Sequence, residues 1–225
     1  FSALKAIPRV ESITLDPHKL GYVPYASGTF LNRQKRDYFF SAFDDAPYID
    51  FDKTIDRGPF TLEGSRSAAG AVATWMTAKT MGLNQKGYGL LLERTIRVRK
   101  ELASKLLKQD LSIQIAPGCD TNVLCFSVAK KGESITESNR RTMKVFEQFS
   151  HKKNGEFIVS KTALTWKCYG TYLDTWTSTW NTKRDADELV LIRMCMMNPF
   201  FASVETDVDY AAHFVKCLNN ATVST

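Results

Sequence analysis

The sequence predicts a protein of mixed α-helix and β-strand structure, and three observations lead to this fold class. Strand-like and helix-like segments alternate over the C-terminal half of the chain, which is typical of a small sheet with helices packed on one face. A long amphipathic helical pattern precedes them, from Asn84 or Gln85 to about Lys108. With 225 residues, of which 44% are hydrophobic, the chain is also long enough to bury a core in one or two domains.

Hydrophobic periodicity divides the C-terminal half into elements. Four segments are predicted strands, at 112–115, 122–128, 156–162 and 188–197. Two are predicted helices, at 133–149 and 207–218, the second with Thr206 as its N-cap. The aromatic stretch 166–180 has no clear period, and we expect a packed irregular loop or an interface patch there, with nucleic-acid base stacking as the alternative.

The N-terminal part contains shorter elements around one unusual turn. Residues 12–15 alternate apolar and polar side chains and predict a strand, which runs into a turn at Pro17 that presents His18 and Lys19. Residues 41–58 show neither a helical nor a strand period and predict a mobile lid loop. A stripe rich in small apolar residues predicts a helix over 67–81, ended by Gly82.

Composition argues against several classes of protein. No apolar run approaches the roughly 20 residues of a membrane span. Five cysteines without C-x-x-C spacing and three scattered histidines predict reduced thiols, a cytoplasmic setting and no metal site. The net charge of +6 permits nucleic-acid binding, but the basic residues of the long helix are mixed with acidic ones, which favours a solvated helix face.

Lys19 is the residue with the clearest potential for chemistry. A lysine beside a histidine at the end of a strand is well placed to be desolvated, and desolvation lowers the pKa of a lysine toward the neutral, nucleophilic amine. That amine is what a Schiff-base lysine requires. Without further information, a lone lysine after a turn is more often a solvated surface residue.

Three motifs resemble one enzyme family. Residues 11–19 resemble the D-S-x-x-x-D/N-P-H-K segment of group II pyridoxal-phosphate-dependent amino-acid decarboxylases, with Glu11 as a departure at the first position. The continuation L-G-Y-V-P-Y, from Leu20 to Tyr25, is similar to the bacterial branch that includes tyrosine decarboxylases. Residues 58–66 resemble the G-x-x-T-L-E-G-S-[RK] signature of the same branch.

The resemblance implies the aspartate aminotransferase-like fold of PLP-dependent transferases, with a large domain around a mostly parallel sheet and a smaller C-terminal α/β domain. Residues 1–84 would then be the end of the large domain, and 85–225 the linking helix and the small domain. The segments that precede the lysine in relatives are not found in this sequence, so we expect the chain to be the C-terminal portion of such an enzyme, normally a homodimer.

The resemblance also implies roles for residues near the cofactor, pyridoxal 5'-phosphate. Lys19 matches the Schiff-base lysine, and Tyr48, in A-P-Y within the lid, matches a catalytic tyrosine that would protonate Cα. His18 and Asp16 occupy positions where relatives contact the cofactor phosphate or its surroundings. Because Asp16 carries a negative charge, we expect it to contact a backbone N–H or His18 rather than the phosphate.

Two further residues each have two possible roles, which we weigh equally. Ser65 is either a phosphate contact across a dimer interface or a simple cap of the following helix. Arg193 lies in an otherwise apolar strand and would need an anion if buried. By resemblance to the family's R-x-x-x-x-N-P strand that anion is the substrate carboxylate, and the alternative is a structural ion pair.

Taken together, the sequence predicts PLP-dependent decarboxylation of an L-amino acid to the amine and carbon dioxide. The resemblance favours an aromatic substrate such as tyrosine and leaves glutamate and diaminobutyrate open. The expected partners are the amino acid, the N-terminal half of the enzyme and a second subunit, with no nucleic acid and no membrane. The alternative is a non-catalytic scaffold or interaction fragment of the same fold.

Overall fold

The structure is a computed structural model and describes residues 2–41, 66–109, 112–150, 156–201 and 206–223. It divides into two compact units, Phe1–Tyr88 and Gly89–Thr225. The sequence suggested a boundary between residues 84 and 85, and the units separate at the first residues of the long helix.

The described residues of the first unit form a small sheet, one α-helix and two 3-10 helices. Strands β1 (Ser12–Leu15) and β2 (Thr29–Asn32) pair antiparallel, with Ser12 opposite Asn32 and Leu15 opposite Thr29. The 3-10 helices span Ser2–Arg9 and Lys35–Ser41. Both strands expose apolar side chains, with Leu15, Phe30 and Leu31 each at least half exposed.

Helix α1 (Ala69–Met81) begins later than its sequence pattern suggested. Ala68 occupies the N-cap position without a side-chain cap, and the Ala69 N–H donates to Ser67 Oγ over 3.2 Å. The N-cap position belongs to Ala68, and Ser65, the predicted cap, lies outside the described residues. Gly82 ends the helix as predicted, with φ of 80° and its N–H donating to the Ala78 carbonyl, because glycine adopts this left-handed φ without a Cβ penalty.

The second unit is built on a four-stranded antiparallel sheet of order β3-β4-β6-β5. Its strands are β3 (Ile113–Ile115), β4 (Val123–Val128), β5 (Ser160–Thr165) and β6 (Glu188–Cys195). Its helices are α2 (Tyr88–Leu107), which begins at the unit boundary, α3 (Ile135–Gln148), α4 (Trp166–Ser178) and α5 (Tyr210–Val223). The sheet has a hydrophobic cluster on each face.

Strand β6 separates the two clusters because successive side chains point to opposite faces of a sheet. Ile192 and Met194 join a cluster that includes Leu102 of α2 and Phe214 of α5. Leu189 and Leu191 join the other cluster, which contains α4 and its tryptophans. The predicted strand over 188–197 is thus confirmed, and its alternation decides which helices it contacts.

The largest difference from the sequence prediction lies in residues 166–180. Residues 166–178 form helix α4 rather than an irregular loop, with a break at Tyr169, whose φ and ψ are −127° and 22°. Trp176 and Trp180 are buried with their ring centroids 5.4 Å apart. Threonine and tryptophan have modest helix propensity, so the helix is stabilised mainly by burial of these rings.

Two smaller differences concern the boundaries of elements. β5 begins at Ser160, whereas the sequence pattern suggested a strand over 156–162. Helix α5 begins at Tyr210, and the Ala212 N–H donates to Asp209 Oδ1 over 2.9 Å. Asp209 therefore provides the cap that the sequence analysis assigned to Thr206.

Candidate active site

The turn that carries Lys19 is closed by its own backbone. The Lys19 N–H donates to the Asp16 carbonyl, and the Tyr22 N–H donates to the Lys19 carbonyl, each over 3.0 Å. A Cβ on Gly21 would lie 2.5 Å from the Pro17 carbonyl oxygen, so only glycine fits there without a backbone shift. The sequence Pro-His-Lys-Leu-Gly thus folds into a compact turn with a defined direction for Lys19.

Two contacts hold this turn to the rest of the first unit. The buried Val23 donates its N–H to the Pro17 carbonyl over 3.1 Å. The Tyr88 hydroxyl donates to the Gly21 carbonyl over 2.6 Å, 67 residues along the chain. Tyr88 was not predicted as a site residue, and no local pattern in the sequence indicates this long-range contact.

The Lys19 side chain forms an ion pair and is not desolvated. Its Nζ lies 2.6 Å from Asp16 Oδ2, and the lysine side chain is 61% exposed. The hydrogen bond that Lys19 donates to Asp16 raises the pKa of Lys19 and lowers the pKa of Asp16. The prediction of a lowered Lys19 pKa was therefore wrong for this state, and Asp16 contacts Lys19 rather than a backbone N–H or His18.

His18 is held against the following loop. Its backbone N–H and its Nδ1 both approach the Ser27 carbonyl, at 3.3 and 2.5 Å. A carbonyl only accepts, so Nδ1 carries the proton and Nε2 is left for another partner. The imidazole stacks on Tyr25, with centroids 4.3 Å apart and planes inclined by 28°. Tyr25 and Ser27 were not predicted as site residues.

The loop beside His18 is also fixed to helix α1. Ser27 Oγ lies 2.7 Å from Thr74 Oγ1, and the Thr74 hydroxyl donates to the Gly70 carbonyl over 2.8 Å. A Cβ on Gly70 would lie 1.9 Å from the Ala26 carbonyl oxygen, so the helix and the loop are in direct backbone contact. The stripe of small residues in α1 is the sequence signal for this close approach.

Arg193 is placed differently from its prediction. It is exposed on β6, opposite Cys125 in β4 and Ser160 in β5, so the premise of a buried guanidinium was wrong. It borders a cavity of about 260 Å³ formed with residues 157–160 and the end of β6. Among the described residues, no carboxylate lies within ion-pairing distance of Arg193, so the structural ion pair is not found there.

The structure does not show the position of every predicted site residue. Tyr48 and Ser65 lie outside the described residues, as do 42–58 of the predicted lid. Lys19, His18 and Asp16 belong to the first unit and Arg193 to the second. The structure thus brings three of the six predicted residues together.

The fold is that of known pyridoxal-phosphate-dependent decarboxylases. The Oryza sativa enzyme TDC, crystallised with PLP and tryptamine, matches with a TM-score of 0.71 at 13% identity, over 98% of this chain and 40% of that one. This similarity confirms the predicted fold class, although all strand pairs of the two described sheets are antiparallel.

The chain belongs to the family described as the pyridoxal-dependent decarboxylase conserved domain, which matches residues 2–129. It is 30% identical to an L-tyrosine decarboxylase of Levilactobacillus brevis, over 96% of this chain and 37% of the relative. A probable L-tyrosine/L-aspartate decarboxylase of Methanothermobacter thermautotrophicus is 33% identical over 52% of this chain and 30% of the relative. The chain therefore spans about a third of the length of these relatives.

No helix in the part of the chain that the structure describes is long and apolar enough to cross a bilayer.

Proposed function

We propose that the protein is a PLP-dependent L-amino-acid decarboxylase in which Lys19 binds the cofactor. One observation supports this most directly. The Lys19 amine is exposed on a turn closed by backbone hydrogen bonds, within the segment that matches the decarboxylase family. The donor set fits part of a pyridoxal phosphate site, because it combines an accessible primary amine with an imidazole whose Nδ1 is already occupied.

In the proposed mechanism, each residue has a task that follows from its contacts. Lys19 would hold the cofactor through Nζ, after Nζ has lost a proton and separated from Asp16. His18, oriented by the Ser27 carbonyl and Tyr25, lines the same site. When bound, the cofactor supplies the electron sink that accepts the electrons of the breaking bond between Cα and the carboxylate.

The other residues complete the site by analogy with the family. Tyr48 would donate the proton to Cα in a site closed to water. Ser65 would contact the cofactor phosphate from the neighbouring subunit. Arg193 would bind the substrate carboxylate, a role supported by its exposed guanidinium beside a cavity.

We further propose a cytoplasmic homodimer that includes an N-terminal half. The half-exposed apolar side chains of β1 and β2 support this, because a two-stranded sheet needs further packing to be stable. Trp75 and Met76 of α1 are also more than half exposed and available for a protein contact.

An aromatic amino acid such as tyrosine is the favoured substrate. This preference rests on the similarity to L-tyrosine decarboxylases. Another relative is named for both L-tyrosine and L-aspartate, so product assays should compare L-tyrosine with L-aspartate and L-glutamate. Release of carbon dioxide and the corresponding amine would identify the substrate.

The decisive experiment is borohydride reduction of the purified protein after incubation with PLP, followed by peptide mapping. We expect a yellow protein, loss of its visible absorbance on reduction, and a phosphopyridoxyl group on Lys19. Lys19→Ala should abolish both the adduct and the decarboxylation, whereas Lys79→Ala, which alters an exposed lysine of α1, should retain both. A colourless wild-type protein with no adduct on Lys19, with its N-terminal half verified as present, would refute the proposal and favour the scaffold alternative.

A further inference from the structure

Glu156, His213 and Cys217 form a compact cluster in the second unit. The carboxylate oxygen, the imidazole nitrogen and the sulfur all lie within 4.8 Å of one another. Cys217 Sγ is 3.9 Å from His213 Nε2, and Glu156 Oε2 is in hydrogen-bond contact with the same nitrogen. Among the described residues, this is the one group of His, Cys, Asp and Glu side chains with metal-ligand geometry.

The elements that surround the cluster explain its geometry. His213 and Cys217 are four residues apart on α5, so they lie on one face of the helix. Glu156 precedes Phe157, whose ring packs on the His213 imidazole with centroids 5.5 Å apart and also contacts Phe214. This aromatic packing holds the carboxylate next to the helix face.

The arrangement differs from that of a nucleophile with a general base. In such a triad the thiol and the carboxylate contact opposite nitrogens of the imidazole, so that one orients the ring and the other gives up a proton. Here Glu156 and Cys217 both face Nε2. Three donor atoms that converge on one point are instead typical of ligands around a cation.

The donors and the space around them suit zinc. Sulfur, imidazole nitrogen and carboxylate oxygen are all ligands of Zn²⁺, with bonds of about 2.0–2.3 Å. Such bonds place tetrahedral ligands roughly 3.3–3.7 Å apart. The 3.9 Å between sulfur and nitrogen must therefore shorten slightly, and the hydrogen-bonded Glu156–His213 contact must lengthen. A cavity of about 230 Å³, lined by Glu156 and Cys217, adjoins the cluster and leaves room for a solvent ligand.

We propose that Glu156, His213 and Cys217 bind one Zn²⁺ ion, with solvent as the fourth ligand. On binding, the Cys217 thiol releases its proton to solvent and His213 Nε2 no longer carries one, so a thiolate and a carboxylate balance the charge of the ion. The Glu156–His213 hydrogen bond is replaced by two metal bonds. The ion would link α5 to the segment before β5 and stabilise the second unit. This site is independent of the proposed decarboxylase chemistry and was not expected from the scattered histidines of the sequence.

The test is a titration of the metal-free, reduced protein with Zn²⁺ by calorimetry, together with Co²⁺ absorbance. We expect one ion per chain, a rise in the melting temperature, and a thiolate-to-cobalt charge-transfer band that Zn²⁺ removes. Cys217→Ser and His213→Ala should each weaken binding by at least about tenfold, since even outer-sphere partners can contribute that much. Glu156→Gln removes the carboxylate of the third proposed ligand. Because the Glu156 side chain is 69% exposed, the folding of this variant should be unaffected.

Cys195→Ser is the matched control, because Cys195 is an exposed free cysteine elsewhere in the same unit. It should bind Zn²⁺ as the wild type does. Absence of stoichiometric binding, undiminished binding in Cys217→Ser, or an equal loss in Cys195→Ser would each overturn the proposal. None of these readouts depends on enzyme activity.

Discussion

The amine of Lys19 lies 2.6 Å from Asp16, and this ion pair sets the charge state of the proposed cofactor-binding residue. The hydrogen bond to Asp16 and the charge of its carboxylate outweigh the opposing effect of desolvation, so the pKa of Lys19 is raised. A charged ammonium is not a nucleophile. In this state the Lys19 amine is therefore protonated. It can react only after its ion pair with Asp16 opens.

We predict that Asp16→Asn makes Lys19 more reactive at moderately alkaline pH. The raised pKa of Lys19 means that the pair is complete below the ordinary lysine value of about 10.4 and is lost as pH rises through the folded-state pKa. The lowered pKa of Asp16 means that the pair is also lost as pH falls through the folded-state pKa of Asp16, below about 4.

Competitive acetylation of the cofactor-free protein between about pH 8 and 11 measures the change. Lys19 of the variant should be labelled at lower pH than Lys19 of the wild type, with Lys79 in the same digest as the internal standard. Identical labelling curves for Lys19 in the two proteins would show that Asp16 does not control its charge.

At the scale of single elements, α1 and the loop after the lysine turn behave as one structure. Gly70 allows their backbones to touch, and the Ser27–Thr74 hydrogen bond lies directly beside that contact. The sequence indicated the helix and its small residues but not their partner. Helix α4 shows the opposite case, in which propensity and period suggested no helix and packing of Trp176 and Trp180 produces one.

Gly70→Ala should disrupt the contact between α1 and the loop. The new Cβ would lie 1.9 Å from the Ala26 carbonyl oxygen, so the helix or the loop must move, at a cost of about 1–3 kcal/mol. Urea unfolding should show this cost as a lower free energy of unfolding. In a separate measurement, labelling of Lys19 by PLP should be reduced.

Gly170→Ala is the control for this prediction. Gly170 lies in α4 with open space around the position of a Cβ. Alanine there should leave stability unchanged or raise it by about 0.5–1 kcal/mol, because it favours the helix. Equal destabilisation by the two substitutions would argue against a specific contact at Gly70.

At the scale of the whole molecule, the second unit has a substantial core of its own on both faces of its sheet. One cluster joins α2, α3 and α5 to the strands, and the other joins α4 to the opposite face. The first unit, in contrast, leaves many apolar side chains exposed. Stability should therefore depend strongly on the buried stripe of α2.

Leu102→Ala tests this dependence. Leu102 is fully buried in the first cluster, so its truncation should lower the free energy of unfolding by about 2–5 kcal/mol. Leu107 provides the control, because it lies five residues along the same helix and is 67% exposed. Leu107→Ala should change the free energy of unfolding by no more than about 0.5 kcal/mol. Thermal and urea unfolding both measure the difference. Similar losses for the two variants would contradict the assigned burial of α2.

Much of the fold was predictable from local sequence. The apolar stripe of α2 and the alternation of β6 depend on neighbours two to four residues away, and both patterns were read correctly. The Pro-His-Lys segment also identified the family, because a motif of this kind encodes a turn and its reactive residue together. The sequence by itself therefore determined the α/β class, the central elements and the candidate lysine.

Only the tertiary structure decided which groups meet across long distances. In the structure Arg193 is exposed, and the lysine turn contacts Tyr88 and packs near α1 through the following loop. Glu156 lies next to His213 and Cys217. These outcomes depend on packing between segments that are far apart in the chain. Periodicity and propensity describe only local neighbours, so they carry no information about such contacts.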